Sequence, residues 1–332
     1  MRAMIIEEFG EAGVFRQGEV PEPEPGPGQV LIRVAASSVN PVDTKIRNGR
    51  LQSIAPPLPA ILHGDVAGTI AAVGEGVTEL CEGDAVFACG GGVGRWQGAL
   101  AESMLTDAAW VARQPVSLTP EEAAALPLVA ITAWEALIDK ADVQAGETLL
   151  VVGGTGGVGH VGLQLARWRG AKVIASASSP EKAEHALQLG ADAVVDLRAE
   201  SIEAIVAEHT GGHGFDLILD TVGGEHLHDS FRATRLNGRL ATTAIRTTLD
   251  LSEVHARALS LHAVFMLIPL LHGIGMAHHG AILREVARLV DDGRLRPLLD
   301  DHRFGFSEVA EAHRFLERGQ AVGKVVLVND LV

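Results

Sequence analysis

A chain of 332 residues with 47% hydrophobic and 21% charged residues has room for two domains and the balance of a folded globular protein. Its formal net charge of -15 argues against an electrostatic nucleic-acid surface and against adhesion to anionic membranes. Two cysteines, Cys81 and Cys89, are too few for a disulfide framework or a four-thiolate zinc knot. The most apolar stretch, Ala263 to Leu271, falls short of the ~18 apolar residues of a spanning helix and carries Pro269. The N-terminus turns acidic at Glu7-Glu8 and lacks a signal peptide's apolar region, so a cytoplasmic location is expected.

The first 110 or so residues read as β-rich. Val30 to Val34 and Gly68 to Val73 are strand-like runs between turn segments such as Pro25-Gly26-Pro27-Gly28 and Gly74-Glu75-Gly76. At Thr119 the texture changes: Thr119 can cap a helix, with Pro120 at its first position and Glu122 closing a capping box. Strands and helices then alternate to about residue 267. Thr148 to Val152 is a continuous apolar run of the buried parallel type. The next helix repeats Val158, Val161, Leu165 and Ala166 at helical spacing and stops at Gly170. Ala171 to Ala177 is a second strand, and Ser179-Pro180-Glu181 opens a helix that Gly190 ends. Val194-Val195, Phe215 to Val222, Arg239 to Ala244 and Leu261 to Leu267 supply further strands. The tail is mixed, with a helix over roughly 281–291, another from Ser307, and a last strand Val325 to Val328. There is no solenoid-type repeat. The alternation predicts an α/β fold, a doubly wound parallel sheet, alongside a β-rich domain.

Gly154-Thr155-Gly156-Gly157-Val158-Gly159 contains G-x-G-x-x-G, placed between an apolar strand and an amphipathic helix, the context this pattern requires. Glycines let the backbone turn tightly and approach a pyrophosphate, while the helix N-terminus offers unpaired N–H groups and a positive dipole end. The competing reading is a glycine turn that packs helix on sheet. The end of the second strand indicates which dinucleotide. An NAD site usually carries an acid there to bond the ribose 2′-OH. Here no carboxylate falls near Ala177; Ser178, Ser179 and Lys182 stand instead and suit a 2′-phosphate, which predicts NADP(H). Taken alone, Lys182 also reads as a solvated helix lysine and Ser179 as an N-cap.

The turn Gly153 to His160, followed by Leu163-Gln164-Leu165-Ala166, resembles the coenzyme motif of the quinone oxidoreductases. Ser38 to Gly49 resembles that branch's active-site loop. Gly64 to Gly74 resembles the signature of the GroES-like catalytic domain in the medium-chain dehydrogenases/reductases. Phe215 to Gly224 and Gly323 to Val328 carry the likeness nearly end to end. The resemblance, to the zinc-independent, zeta-crystallin-like branch, implies a discontinuous GroES-like catalytic domain at 1–127 and 268–332. It implies a Rossmann NADP(H)-binding domain at 128–267, an active site in the cleft between them, and a homodimer. The implied cofactor residues are Gly154, Thr155, Gly156, Gly157, Val158 and Gly159, then Ser178 and Lys182, then Val222 and Ala244 after later strands.

Zinc-containing relatives carry a Cys where this chain has Asn40, a His at Gly64 and a Cys near Leu128, so no metal is expected. His63 and Asp65 leave a non-standard site open. The other histidines, including His278-His279 and His209, His213 and His226, show no paired ligand spacing. Without a Lewis acid, hydride delivery suits a quinone or an α,β-unsaturated carbonyl, whose conjugation spreads the charge. Lys45 is the first candidate donor near the reacting centre; quinone oxidoreductases often carry Tyr there, whereas some enone reductases carry Lys. Asn40 is a second candidate, or a loop residue fixing the turn before Pro41. Thr132 matches a position beside the nicotinamide, or serves helix packing. With no Tyr in the chain, a phenol mechanism is excluded. Asp43 and Asp65 read as structural acids. Trp96 and Phe265 to Pro269 point either to an apolar acceptor site or to core and dimer interface. A zinc-type alcohol dehydrogenase-like enzyme and a non-catalytic NADPH-binding sensor are the alternative functions.

Overall fold

The strand Gln29–Ser38 buries seven of its ten side chains, and three other strands pair with it. Around it the computed structural model, which describes residues 1–331, builds the first of two units. That unit comprises Met1–Leu128, Leu267–Gly293 and the chain from Pro297 onward; the second is Val129–Met266 with Arg294–Arg296.

In the first unit a seven-stranded sheet runs in the order Leu299–Gly305, Lys324–Val328, Gln29–Ser38, Asp65–Val73, Ala85–Cys89, Val111–Arg113, with Ser103–Asp107 also on Gln29–Ser38. A smaller sheet joins Arg16–Glu19, Arg2–Ile6 and Ala60–Ile61. Gly68 lies where the Gln29–Ser38 pairing slips register; a Cβ there would stand 2.0 Å from the Arg33 carbonyl oxygen. The sequence read this region as β-rich with a loop over Ser38 to Gly49, and within that loop the structure places the helix Pro41–Arg47. Pro41 starts that helix, and the Asp43 carboxylate accepts from the Asn40 N–H at 2.7 Å. Thr119 and Glu122 form the expected capping box of Pro120–Ala124.

In the second unit six parallel strands run Ala193–Val195, Lys172–Ser176, Thr148–Val152, Phe215–Asp220, Thr234–Thr242, Ser260–Ala263. In chain order this is 3-2-1-4-5-6, the doubly wound arrangement whose strand order reverses between Thr148–Val152 and Phe215–Asp220. Both central strands are buried on both faces, which is why they read as unbroken apolar runs.

Several expected boundaries move. The strand expected over Leu261 to Leu267 stops at Ala263, because its neighbour ends at Thr242, whose carbonyl takes the Val264 N–H. Pro269 then helps start the helix Ile268–His272. The strand expected from Arg239 begins earlier, at Thr234, and the helix expected from 281 begins at Met276 after Gly275 at φ +73°. Trp96 is core: it is 6% exposed, edge-on to Trp110 at 4.9 Å, with the Arg95 guanidinium over its ring. Among the described residues no helix is long and apolar enough to cross a membrane.

A buried histidine pair ties the first unit together. The Ser37 hydroxyl donates to the Asp65 carbonyl oxygen at 2.6 Å, so His63 Nδ1, 3.3 Å away, must donate to Ser37. His63 Nε2 is then an acceptor, and His313 Nε2 donates to it at 2.9 Å. Burial, then the Lys324 charge, pushes His63 down to about 3. Burial, then His63 and Arg47, holds His313 well below the ordinary imidazole value. Unfolded imidazoles take up protons below about pH 6.5, whereas this pair resists protonation. The stability it contributes is present above about pH 6.5 and is lost as pH falls toward the folded value. Asp43, which burial pushes up to about 7, acts in the opposite sense, since it favours the folded state as pH falls. The urea midpoint of the wild type should therefore fall more steeply from about pH 7.5 to about pH 5 than that of His313→Gln, whose amide offers an N–H donor but cannot titrate. Equal slopes for the two proteins would remove the histidine pair as the acid-sensitive element.

Candidate functional site

In the second unit, two loops leave the central strands at the point where the order reverses. After Val152 the chain turns at Gly153, φ +81°. The Gly153 N–H donates to Ser176 Oγ at 2.9 Å and the Gly154 N–H to the Ser176 carbonyl at 3.0 Å, which clamps the turn to the neighbouring strand. A Cβ at Gly159 would lie 2.0 Å from the Gly153 carbonyl oxygen, and one at Gly154 would lie 2.7 Å from Ala175 Cβ. Those two glycines therefore let helix and turn close on the sheet. Gly156 is different: it is exposed, and a Cβ there would meet only the Gly153 oxygen at 3.3 Å. The helix Gly157–Trp168 starts at Gly156 with no side-chain cap, so the first-turn N–H groups of Gly157, Val158 and Gly159 remain available to an anion. Thr155 is 4% exposed and packs inside the turn.

The second loop follows Asp220, whose carboxylate accepts from the N–H groups of Val222 (3.0 Å) and Gly223 (2.8 Å) and from Ser230 Oγ (2.7 Å). That leaves Val222 exposed at the carboxyl end of the central strand. Ala244 lies beside it through Gly223, where a Cβ would meet the Ala244 carbonyl at 2.1 Å. Thr221 Oγ1 donates to the Val152 carbonyl at 2.7 Å and joins the two loops.

At the end of Lys172–Ser176, Ser178 is exposed and Lys182 half-buried, while Ser179 caps the helix Pro180–Gln188 by accepting from the Lys182 N–H at 3.3 Å. The structure adds a residue that sequence reading passed over. Arg198, paired with Asp196, donates to the Ser178 carbonyl and so holds a guanidinium beside the turn. Parallel pairing of Lys172–Ser176 with Ala193–Val195 brings it there, and no local motif marks it.

In the first unit, Asn40 and the acids of its loop meet Lys324, which carried no role in the sequence reading. Asp65, 0% exposed, accepts from Ser38 Oγ (2.8 Å), Asn40 Nδ2 (2.7 Å), the Leu128 N–H (2.7 Å) and Lys324 Nζ (3.4 Å). Lys324 Nζ also donates to the Val39 carbonyl at 3.1 Å and to Asn40 Oδ1. Burial pushes the Cys89 thiol well above its ordinary value, with Asp65 adding to the effect, so it is no thiolate ligand. Lys45 is exposed on the helix Pro41–Arg47. Thr132 lies in the other unit, 5% exposed on the helix Pro127–Trp134.

These residues do not fit zinc. Asn40 has both ends of its amide engaged, and a Cβ at Gly64 would stand 2.9 Å from the Gly91 carbonyl. Leu128 contributes only its backbone N–H, and both Asp65 oxygens are already occupied by donors. The turn at Gly153 to Gly159, with its uncapped helix, does fit a dinucleotide pyrophosphate.

Residues 26–116 match the alcohol dehydrogenase GroES-like domain family, and residues 189–327 match the zinc-binding dehydrogenase family. The chain is 30% identical to an Arabidopsis thaliana NADPH-dependent alkenal/one oxidoreductase of the chloroplast, over 98% of this chain and 79% of that protein. It is 31% identical to the Homo sapiens quinone oxidoreductase, over 99% of this chain and 98% of that one. Among solved structures, an alcohol dehydrogenase superfamily protein from Novosphingobium aromaticivorans superposes with a TM-score of 0.94 at 41% identity, covering 99% and 100% of the two chains. End-to-end likeness at these identities, on a doubly wound sheet and a GroES-like unit, means that the chain belongs to the quinone and enone oxidoreductase branch of the medium-chain dehydrogenase/reductase superfamily.

Proposed function

We propose that this protein is an NADPH-dependent reductase of quinones or α,β-unsaturated carbonyl compounds that works without a catalytic metal. The observation that carries the metal-free part is the Lys324 ammonium, which stands among Val39, Asn40 and Asp65 and uses the polar atoms a metal would need. The relatives that act on alkenals, enones and quinones support the acceptor class.

The N–H groups of Gly157, Val158 and Gly159 would hold the pyrophosphate, in the turn shaped by Gly154, Thr155 and Gly156. Val222 and Ala244 would flank the cofactor at the carboxyl ends of the later strands. Ser178, Lys182 and Arg198 would take the 2′-phosphate where an NAD site has an acid. Bound there, NADPH supplies the hydride. The chain's part is to orient the acceptor and to donate hydrogen bonds to its carbonyl oxygen as negative charge arrives. Asn40, Lys45 and Thr132 are the proposed residues for that work, and no Tyr competes for the role.

The proposal includes a homodimer and a cytoplasmic setting. The strand Ser260–Ala263 has one sheet neighbour and leaves its other edge open, and exposed Phe265 follows it in the chain. Both cysteines are free thiols, as a reducing compartment would keep them.

Three measurements follow from this reading. NADPH oxidation should proceed with 1,4-benzoquinone or a small enone, faster than with NADH and unaffected by chelator, in protein free of bound zinc. Stoichiometric zinc would restore the alcohol dehydrogenase alternative, and NADPH binding without turnover across acceptors would favour the sensor. Lys182→Ala and Arg198→Ala should each raise the KM for NADPH roughly tenfold, the loss of one charge-assisted bond, and leave the KM for NADH nearly unchanged. Equal effects on both cofactors would remove these residues from the phosphate site. In size-exclusion chromatography with light scattering the protein should run at twice its 34.9 kDa mass, and a monomer would dismiss the dimer.

A further inference from the structure

We propose that Lys324 is a positioning residue for this reaction: its ammonium fixes the Asn40 amide so that the only polar function left on that side chain is an N–H donor for the acceptor's carbonyl oxygen. The inference rests on the reductase reading for its purpose, and on geometry alone for the fixing.

The three side chains are almost sealed from solvent, Lys324 3% exposed, Asn40 1% and Asp65 0%. An ammonium can only donate, so the Asn40 atom facing Lys324 Nζ must be Oδ1. The Asp65 carboxylate can only accept, so the atom 2.7 Å from its Oδ2 must be Nδ2. Turning the amide over would set its NH2 against the ammonium and its oxygen against the carboxylate. In a buried site two attractions would become two repulsions, so one orientation is held. The three hydrogens of Lys324 have three acceptors, in Val39, Asn40 and Asp65. One Nδ2 hydrogen of Asn40 is therefore uncommitted. Because Lys324 withdraws electron density through Oδ1, that hydrogen is a better donor than an ordinary amide's.

A donor at this place discriminates among acceptors. It serves a substrate that offers a carbonyl oxygen on which charge accumulates, and it gives nothing to a group that is itself a donor. Lys324 is 284 residues from Asn40 in the chain and opens the strand Lys324–Val328, whose pairing with Gln29–Ser38 places it under the loop. The same pairing sets Val326 opposite Ser38, two residues before Asn40, so the ammonium and the amide cannot slide apart without breaking the sheet.

The test combines kinetics with a spectroscopic signature. Asn40, Asn48, Asn237 and Asn329 are the asparagines of this chain, so selective 15N-asparagine labelling gives four side-chain amide pairs. In the wild type the Asn40 pair should exchange with solvent far more slowly than that of exposed Asn237, and it should shift in K324M. With a small enone, K324M should lose about 10- to 100-fold in kcat, the range for weakening one donor to a developing oxyanion, while the KM for NADPH stays within about twofold. K324R should recover part of the loss. K324M leaves Asp65 charged and buried without its cation, so the charge-neutral pair K324M/D65N carries the same kinetic comparison if the single variant does not fold. The proposal is overturned if the folded variants keep wild-type kcat, or if the Asn40 protons exchange as fast as those of Asn237. Wild-type protein that reduces neither quinone nor enone overturns the functional reading instead, and the amide exchange, read in the same sample, still upholds or overturns the fixing of Asn40.

Discussion

A carboxylate with no access to water organises the first unit. Burying an ionised acid without compensation costs several kcal/mol, so Asp65 requires donors from wherever the chain can supply them. It draws them from Ser38 and Asn40 in the loop, from the Leu128 backbone, and from Lys324 near the C-terminus. Segments far apart in sequence are thereby pinned to one point. The Asn40 amide, the start of the helix Pro41–Arg47 and the strand Lys324–Val328 all take their positions from it. The neighbouring chain of Ser37, His63 and His313 extends the same ordering into the helix Val309–Glu317.

The proposed consequence for chemistry is a buried cation of the protein's own, the Lys324 ammonium, beside Asn40 and Asp65. An ammonium that is fully hydrogen-bonded gives charge and orientation but no open coordination position. It can set a neighbouring amide, whereas it cannot bind an alkoxide as zinc does. A conjugated acceptor, which spreads incoming charge over its own π system, matches that lesser demand.

The second unit is ordered by close approach rather than by charge. Gly154 and Gly159 lie where any side chain would strike the backbone or Ala175, and Ser176 ties the turn to the adjacent strand. The helix therefore meets the sheet at one depth, with its first N–H groups left over. Ser179 and Ser201 cap their helices with a hydroxyl, whereas the helix after Gly156, like Met276–Asp291 after Gly275, starts without a side-chain cap. Ligand recognition and helix stability compete for the same donors, and here the donors stay free.

Much of this was legible from residues alone. The Thr148–Val152 run, the glycine pattern after it, the missing acid near Ala177 and the capping box at Thr119 are local signals, because each depends on neighbours a few positions away. Element ends were less legible: Ser260–Ala263 stops where its partner strand stops, a fact no window on the sequence contains. Trp96, which could have walled a substrate site, turned out to be packed on Trp110. The sequence by itself determined the doubly wound unit and its dinucleotide turn, since periodicity and glycine placement act locally. Only the tertiary structure decided that Arg198 stands beside Ser178 and that Lys324 reaches Asn40 and Asp65. Strand pairing makes those contacts across tens to hundreds of residues, and the demand that buried polar groups find partners selects which ones are kept.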